Sequence, residues 1–284
     1  MVPTRLKADL LLVFLAVIWG SAFIAQSVAG KNGLAFLFNG ACFSLAAILL
    51  LPLARGSIPR AQWGWMLIAG ILLFGGSAFQ QVGLFYTKVA NASFLTSLYV
   101  IFTPLLLWLI YGERLGLIHG IAVALAVVGA FLLSTAGRLE LHLGDLLEVI
   151  GALFWALHIM LAAKYAAPYR AIQFAAGQFL VCGLLNFAVG GVLTHERWAL
   201  LLEPAIAAAT LYRAVLSIAF GYTLQLWAQK YTPPTDAALI FALESVFAAL
   251  AAAWLLHERL AAPQIAGCAA ILLAAALSQV RARS

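Results

Sequence analysis

Gly76-Ser77-Ala78-Phe79-Gln80 lies inside one long apolar run, and Gly221-Tyr222-Thr223-Leu224-Gln225 lies inside another. The register holds beyond these blocks. Thr87 matches Thr232, Asn91 matches Asp236, and Glu113-Arg114-Leu115 matches Glu258-Arg259-Leu260. Gly120 and Gly267 follow after a slip of two residues. Upstream, Ala8-Asp9-Leu10-Leu11 matches Gly144-Asp145-Leu146-Leu147, and the same offset sets Trp19 against Trp155. Self-similarity on this scale outranks any single motif. The chain reads as two related halves, residues 1–138 and 139–284.

The runs that carry the repeat are too apolar for water. Hydrophobic residues make up 65% of the 284 and charged residues 9%, whereas a soluble domain carries about a quarter charged residues. A spanning helix needs roughly 20 apolar residues. Ten runs qualify, near 9–29, 33–54, 62–86, 91–111, 115–136, 144–163, 171–193, 207–230, 236–256 and 261–280. A membrane barrel is excluded, because its short strands alternate apolar and polar residues and these runs are continuous. The expected fold is an all-α integral membrane protein of ten transmembrane helices. Each half holds five, an odd number, so the second half enters the membrane inverted relative to the first. Inverted repeats of this kind build many secondary transporters.

Basic residues orient the chain. With the N-terminus in the cytoplasm, the inside segments hold ten Lys and Arg and the outside segments five, with Arg213 left near the outer end of span eight. The positive-inside rule then places both termini in the cytoplasm, at the inner (plasma) membrane. The net charge of +6 belongs to loops at an anionic leaflet. No basic cluster interleaved with aromatics occurs, so no nucleic-acid partner is expected. The first run has Arg5 and Lys7 before it but is longer than a signal-peptide core and has a counterpart later in the chain, so it is read as a retained helix. Cys42, Cys182 and Cys268 fall inside spans and read as packing residues.

The stretch from Gly83 through Asn91, Pro104 and Glu113 to Leu115, with its echo from Gly221 to Leu260, resembles the EamA-type transporters of the drug/metabolite transporter superfamily. The resemblance covers nearly the whole chain. It implies ten helices in two inverted five-helix repeats, with export as the usual direction. It also implies a central cavity lined by spans 1, 3, 4, 6, 8 and 9, with spans 5 and 10 at the periphery. Within the superfamily the chain is most similar to YddG-like exporters of aromatic and other amino acids. One departure is visible: many members carry Glu-Pro in span nine, and here Glu244 precedes Ser245.

Several residues are candidates for the cavity. Trp19 lies about ten residues into span one, near the bilayer middle, and Trp155 lies at similar depth in span six. Tryptophan favours the interface, where Trp63, Trp65, Trp198 and Trp227 are expected. The central pair either stacks on an aromatic ligand or packs helices. Glu244 reads as the one acid well inside a span, about 12 Å from the Asp236 end by helical rise. A buried carboxylate is costly unless protonated or paired. Its role is structural, with Tyr99 or Ser245 as partner, or it couples protons. His158 lies one turn after Trp155 on the same face and reads as a packing histidine or a polar wall group. Gln80 and Gln225 bind a ligand or another helix. Ser97, with Thr96 and Thr103, adds polar groups to span four. Pro104 removes a backbone donor there, and Gly75, Gly76 and Gly221 are soft points; all four serve as hinges or as packing positions. Asn91 and Asp236 read as N-caps, and Arg213 as an interface residue whose charge snorkels to water.

No HExxH, Walker loop or carboxylate pair occurs, so no metal, cofactor or catalytic residue is expected. The partners expected are lipid, a small-molecule substrate and a coupling ion, a proton being the candidate. An intramembrane enzyme would turn substrate over, and an assembly protein would need no hydrated cavity. The best reading is a secondary transporter of small amphipathic metabolites, amino acids first, working by alternating access. Its cavity is expected to select shape and apolarity more than charge.

Overall fold

A computed structural model describes residues 4–87, 89–135, 143–166, 169–255 and 260–280. Its α-helices are α1 (Thr4–Lys31), α2 (Phe36–Leu50), α3 (Arg60–Tyr86), α4 (Val89–Thr96), α5 (Tyr99–Tyr111), α6 (Leu117–Thr135), α7 (Leu143–Leu161), α8 (Ala171–Ala188), α9 (Pro204–Tyr212), α10 (Thr223–Ala228), α11 (Pro234–Phe241), α12 (Leu243–Leu255) and α13 (Ala262–Val280). In lipid each backbone polar group must be satisfied within the protein, and helices do this locally.

Among the described residues, nine helical segments are long and apolar enough to cross a membrane. They coincide with nine of the ten runs read from the sequence. The remaining run, 236–256, is two helices, α11 and α12, separated by a turn at Ala242. The fourth run is also interrupted, by a turn at Ser97 and Leu98 between α4 and α5. Pro104 lies inside α5, so the interruption sits more than a turn before the proline rather than at it. No proline stands in α12. Each break has a serine bonded back onto the chain: Ser97 Oγ donates to the Ser93 carbonyl and Ser245 Oγ to the Ala242 carbonyl, both at 2.7 Å. Such back-bonding competes with the helical ladder and bends helices.

Helices in lipid gain little from the hydrophobic effect and depend on close packing. α3 lies along α7 and α8, α2 along α8, α1 along α12, and α6 along α13. The α6–α13 crossing is backbone to backbone. A Cβ on Gly129 would stand 2.8 Å from the Gly267 carbonyl oxygen, and one on Gly267 would stand 2.5 Å from that of Gly129. Ala122, Ala126 and Ala130 are buried on the same helix. Two apolar cores result, and Trp155 packs against both.

The start of α11 corrects one expectation. Pro233 precedes the helix, and Asp236 lies within its first turn rather than capping it. Its carboxylate pairs with Arg5, and with His119 Nε2 at 2.8 Å. Asn91 likewise falls inside α4, and its side chain lies outside the described residues, as do Glu258 and Arg259. Glu113 pairs with Lys164 of the segment after α7.

Candidate functional site

One cavity lies where spans 1, 3, 4, 6, 8 and 9 converge. Its walls come from α1 (Trp19, Gln26), α3 (Gln80), α4 and α5 (Thr96, Tyr99), α7 (Trp155, His158), span eight (Arg213, Ser217, Tyr222, Gln225) and the α11–α12 break (Phe241, Glu244). The space open to the centres of water molecules is about 60 Å³, enough for a few waters. Seven of the eight proposed cavity residues line it: Trp19, Gln80, Tyr99, Trp155, His158, Gln225 and Glu244. Ser97 does not; it is buried with its hydroxyl on the Ser93 carbonyl.

Tyr222 organises the aromatic wall. Five rings surround it: Trp19 at 5.0 Å, Phe43 at 6.5 Å, Trp155 at 6.2 Å, His158 at 5.8 Å and Phe179 at 6.1 Å between centroids. Trp19 also lies 4.9 Å from Phe241. Stacked and tilted arrangements of this kind add stability beyond area burial. Each proposed soft glycine is filled by a ring. A Cβ on Gly76 would stand 2.8 Å from Trp155 Cδ2, and one on Gly221 would stand 2.9 Å from Trp19 Nε1. Gly75 lies equally tight against Phe154. These glycines make room for aromatics, and the glycine of each half admits the tryptophan of the other.

Polar groups around the rings form directed chains. Indole N–H is a donor only, so Trp155 Nε1 donates to Gln80 Oε1 at 2.8 Å. That turns Gln80 Nε2 toward Gln26 Oε1, at 3.2 Å. On the other side, Gln229 Nε2 donates to the Ile159 carbonyl at 3.2 Å, and Gln225 Nε2 donates to Gln229 Oε1 at 2.8 Å. The carbonyl can only accept, so the direction of this chain is fixed. Gln225 Oε1 is left buried without a partner. His158 is held by Gln178 Oε1 at 3.0 Å.

Three contacts follow the sequence repeat. Thr87 Oγ1 donates to Asp145 Oδ1 at 2.5 Å, and Thr232 Oγ1 donates to Asp9 Oδ1 at 2.6 Å. The threonine of one half thus serves the aspartate of the other, in both directions. Between them Tyr99 Oη donates to Glu244 Oε1 at 3.0 Å. Both residues lie in the first turn after a helix break, where α12 presents its N-terminal dipole near the carboxylate.

Two residues escaped sequence reasoning. Arg213 is 5% exposed and its guanidinium donates to Asn39 Oδ1; it lines the cavity and does not snorkel. The reason is local geometry. Residues Arg213–Tyr222 form a π-helix of ten residues, with hydrogen bonds to the fifth residue on. In an α-helix Tyr222, nine residues after Arg213, would point away from it. The wider π turn puts Arg213, Ser217 and Tyr222 on one face. Glu148 is the second. It is fully buried in α7 and accepts from Thr96 Oγ1 at 3.0 Å, so Glu244 is not the one acid within a span. A carboxylate four residues into a run resembles an interface residue in sequence. Among the described residues no cluster of His, Cys, Asp and Glu could hold a metal.

The model of the EamA-like transporter family matches residues 6–135 and matches again over 142–279. An uncharacterized transporter of Archaeoglobus fulgidus is 34% identical over 281 residues, covering 98% of this chain and 87% of the relative. The uncharacterized transporter YvbV of Bacillus subtilis is 25% identical, covering 99% of this chain and 94% of that one. A solved protein structure superposes with a TM-score of 0.81 over 97% of this chain at 18% identity, which speaks to the fold alone. Matched in both halves and aligned with transporters along almost its whole length, this multi-pass membrane chain belongs to the EamA-like transporter family.

Proposed function

We propose that the chain is a ten-span secondary transporter of two inverted five-helix halves, residues 1–138 and 139–284, working by alternating access in the inner membrane with both termini cytoplasmic. Its substrates are small amphipathic zwitterions, amino acids with aromatic ones favoured, and its direction is export. The observation that carries this reading is the cavity at the meeting of the two helix breaks, walled by Trp19, Trp155 and Tyr222 and edged with amides. The exchanged Thr–Asp pairs support the two-half arrangement, because a pairing made in both directions is what a two-fold relation between halves produces. So do the two separate matches to the family. Rings accept an aromatic side chain, and Gln225, Glu244 and neighbouring polar groups replace part of the water around a zwitterion.

Counterflow tests the proposal. Liposomes containing the purified protein are preloaded with each of a panel of unlabelled amino acids and given the labelled one outside. Transient accumulation of phenylalanine or tryptophan is expected, exceeding that of glycine. Accumulation of none of the panel would refute the substrate class.

A further inference from the structure

Arg213 is a buried cation without an anion. Arginine stays charged in proteins, and removing such a charge from water is costly unless it is paired. Its polar neighbours are Asn39, a neutral amide that accepts its hydrogen bond, and the thiol of Cys42, and the faces of Phe38 and Phe43 lie 5.4 and 5.9 Å from the guanidinium carbon. Among the described residues no carboxylate lies within ion-pair distance of it. Aromatic faces and one amide offset only part of the desolvation. Buried Asp236, by contrast, has Arg5 and His119.

The surroundings hold Arg213 in place instead of neutralising it. Asn39 is fully buried, and its Nδ2 donates to the Ser77 carbonyl at 2.9 Å. That bond fixes the amide so that Oδ1 receives the guanidinium. One of five N–H donors is thereby used for orientation. The π-helix then turns Arg213 to the cavity wall that Tyr222 shares. Elsewhere on the same wall stand groups that take a donor: Glu244, and Gln225 Oε1, buried without a partner. A cavity with an unanswered fork of donors and unanswered acceptors is complementary to a molecule carrying both kinds of group.

We infer that Arg213, held by Asn39, is the subsite for a carboxylate of the transported molecule, with Gln225 and Glu244 receiving its ammonium. This rests on the reading of the cavity as the substrate chamber. It replaces selection by apolarity with a charge requirement: ligands lacking the carboxylate bind poorly whatever their ring.

The test uses the full-length protein in liposomes, with labelled phenylalanine counterflow competed by 3-phenylpropionate, which has the carboxylate alone, and by phenethylamine, which has the ammonium alone. Arg213→Gln also removes a buried bond, so a folding failure there says nothing about binding. Asn39→Asp instead supplies Arg213 with an internal carboxylate; it gives up the donation to the Ser77 carbonyl, so its melting temperature is matched against the wild type first. The wild type should be competed by 3-phenylpropionate well below the concentration at which phenethylamine acts. In Asn39→Asp the competition should weaken by about thirtyfold or more, the scale for losing one side of a buried charge pair. Equal competition by the two analogues, or an unchanged Asn39→Asp protein, would overturn the inference. If phenylalanine itself shows no counterflow, the amino-acid reading fails, and thermal stabilisation decides the subsite. A shift with 3-phenylpropionate that Asn39→Asp abolishes would sustain it, and no shift with that carboxylate would end it.

Discussion

Tyr99 and Glu244 touch through a hydrogen bond of 3.0 Å, and they stand 145 residues apart. That is the offset which equates Gln80 with Gln225 and Thr87 with Thr232. Under a two-fold relation a residue meets its own counterpart only near the axis. Both lie in the first turn after a helix break, so the contact ties the α4–α5 break to the α11–α12 break.

Tyr99→Phe removes the donor and leaves a buried carboxylate oxygen unserved. Stability in detergent should fall by about 1–3 kcal/mol, read from denaturant unfolding. Glu244→Gln keeps an acceptor for Tyr99 and should cost less than Tyr99→Phe. With Glu244 receiving the substrate's ammonium, a well-folded Glu244→Gln protein should exchange phenylalanine much more slowly than the wild type. Undiminished exchange would leave the acid a structural or proton-coupling role instead.

The crossed threonine–aspartate bonds give a coupling pattern. In double-mutant cycles Thr87→Val should couple with Asp145→Asn by about 0.5–3 kcal/mol, and Thr232→Val with Asp9→Asn likewise. The swapped combinations, Thr87 with Asp9 and Thr232 with Asp145, should be additive within about 0.5 kcal/mol. Coupling in the swapped cycles would contradict the pairing.

Much of this was legible in the sequence, for identifiable reasons. Continuous apolar runs gave the spans, since lipid leaves few alternatives to helix. The repeat picked out Trp19 and Trp155 by position, and Tyr99 and Glu244 by offset. Arg213 stands near the outer end of its run, where a charge is expected to reach water, and the π-helix turns it to the cavity instead. Glu148 was passed over because an acid near the start of a run looks solvated, whereas Gly83 and Thr96 pack around it. The break at Ala242 has no proline to announce it. Asp236 was read from its local position, while its partners, Arg5 and His119, come from α1 and α6.

Gly76 and Gly221 are predicted to tolerate no side chain. Gly76→Val should push on Trp155, and Gly221→Val on Trp19, each costing about 1–3 kcal/mol by overpacking. Melting temperature and tryptophan fluorescence should both shift. If either variant melts and fluoresces like the wild type, the ring is not seated on that glycine.

Orientation is open to reporter fusions. Fusions at Ser57 and Arg170 should report a cytoplasmic location, and fusions at Lys31 and Arg138 an external one, following the distribution of basic residues. The reverse pattern would turn the whole topology over.

The central claim is that the chamber between Trp19 and Trp155 holds the side chain of the transported molecule. Its most direct test is the ratio of phenylalanine to alanine counterflow in Trp19→Ala and Trp155→Ala proteins that fold normally. Both substitutions should lower the ratio, because the ring loses its stacking surface while a methyl group loses little. Unchanged transport of both amino acids in both variants would contradict the account.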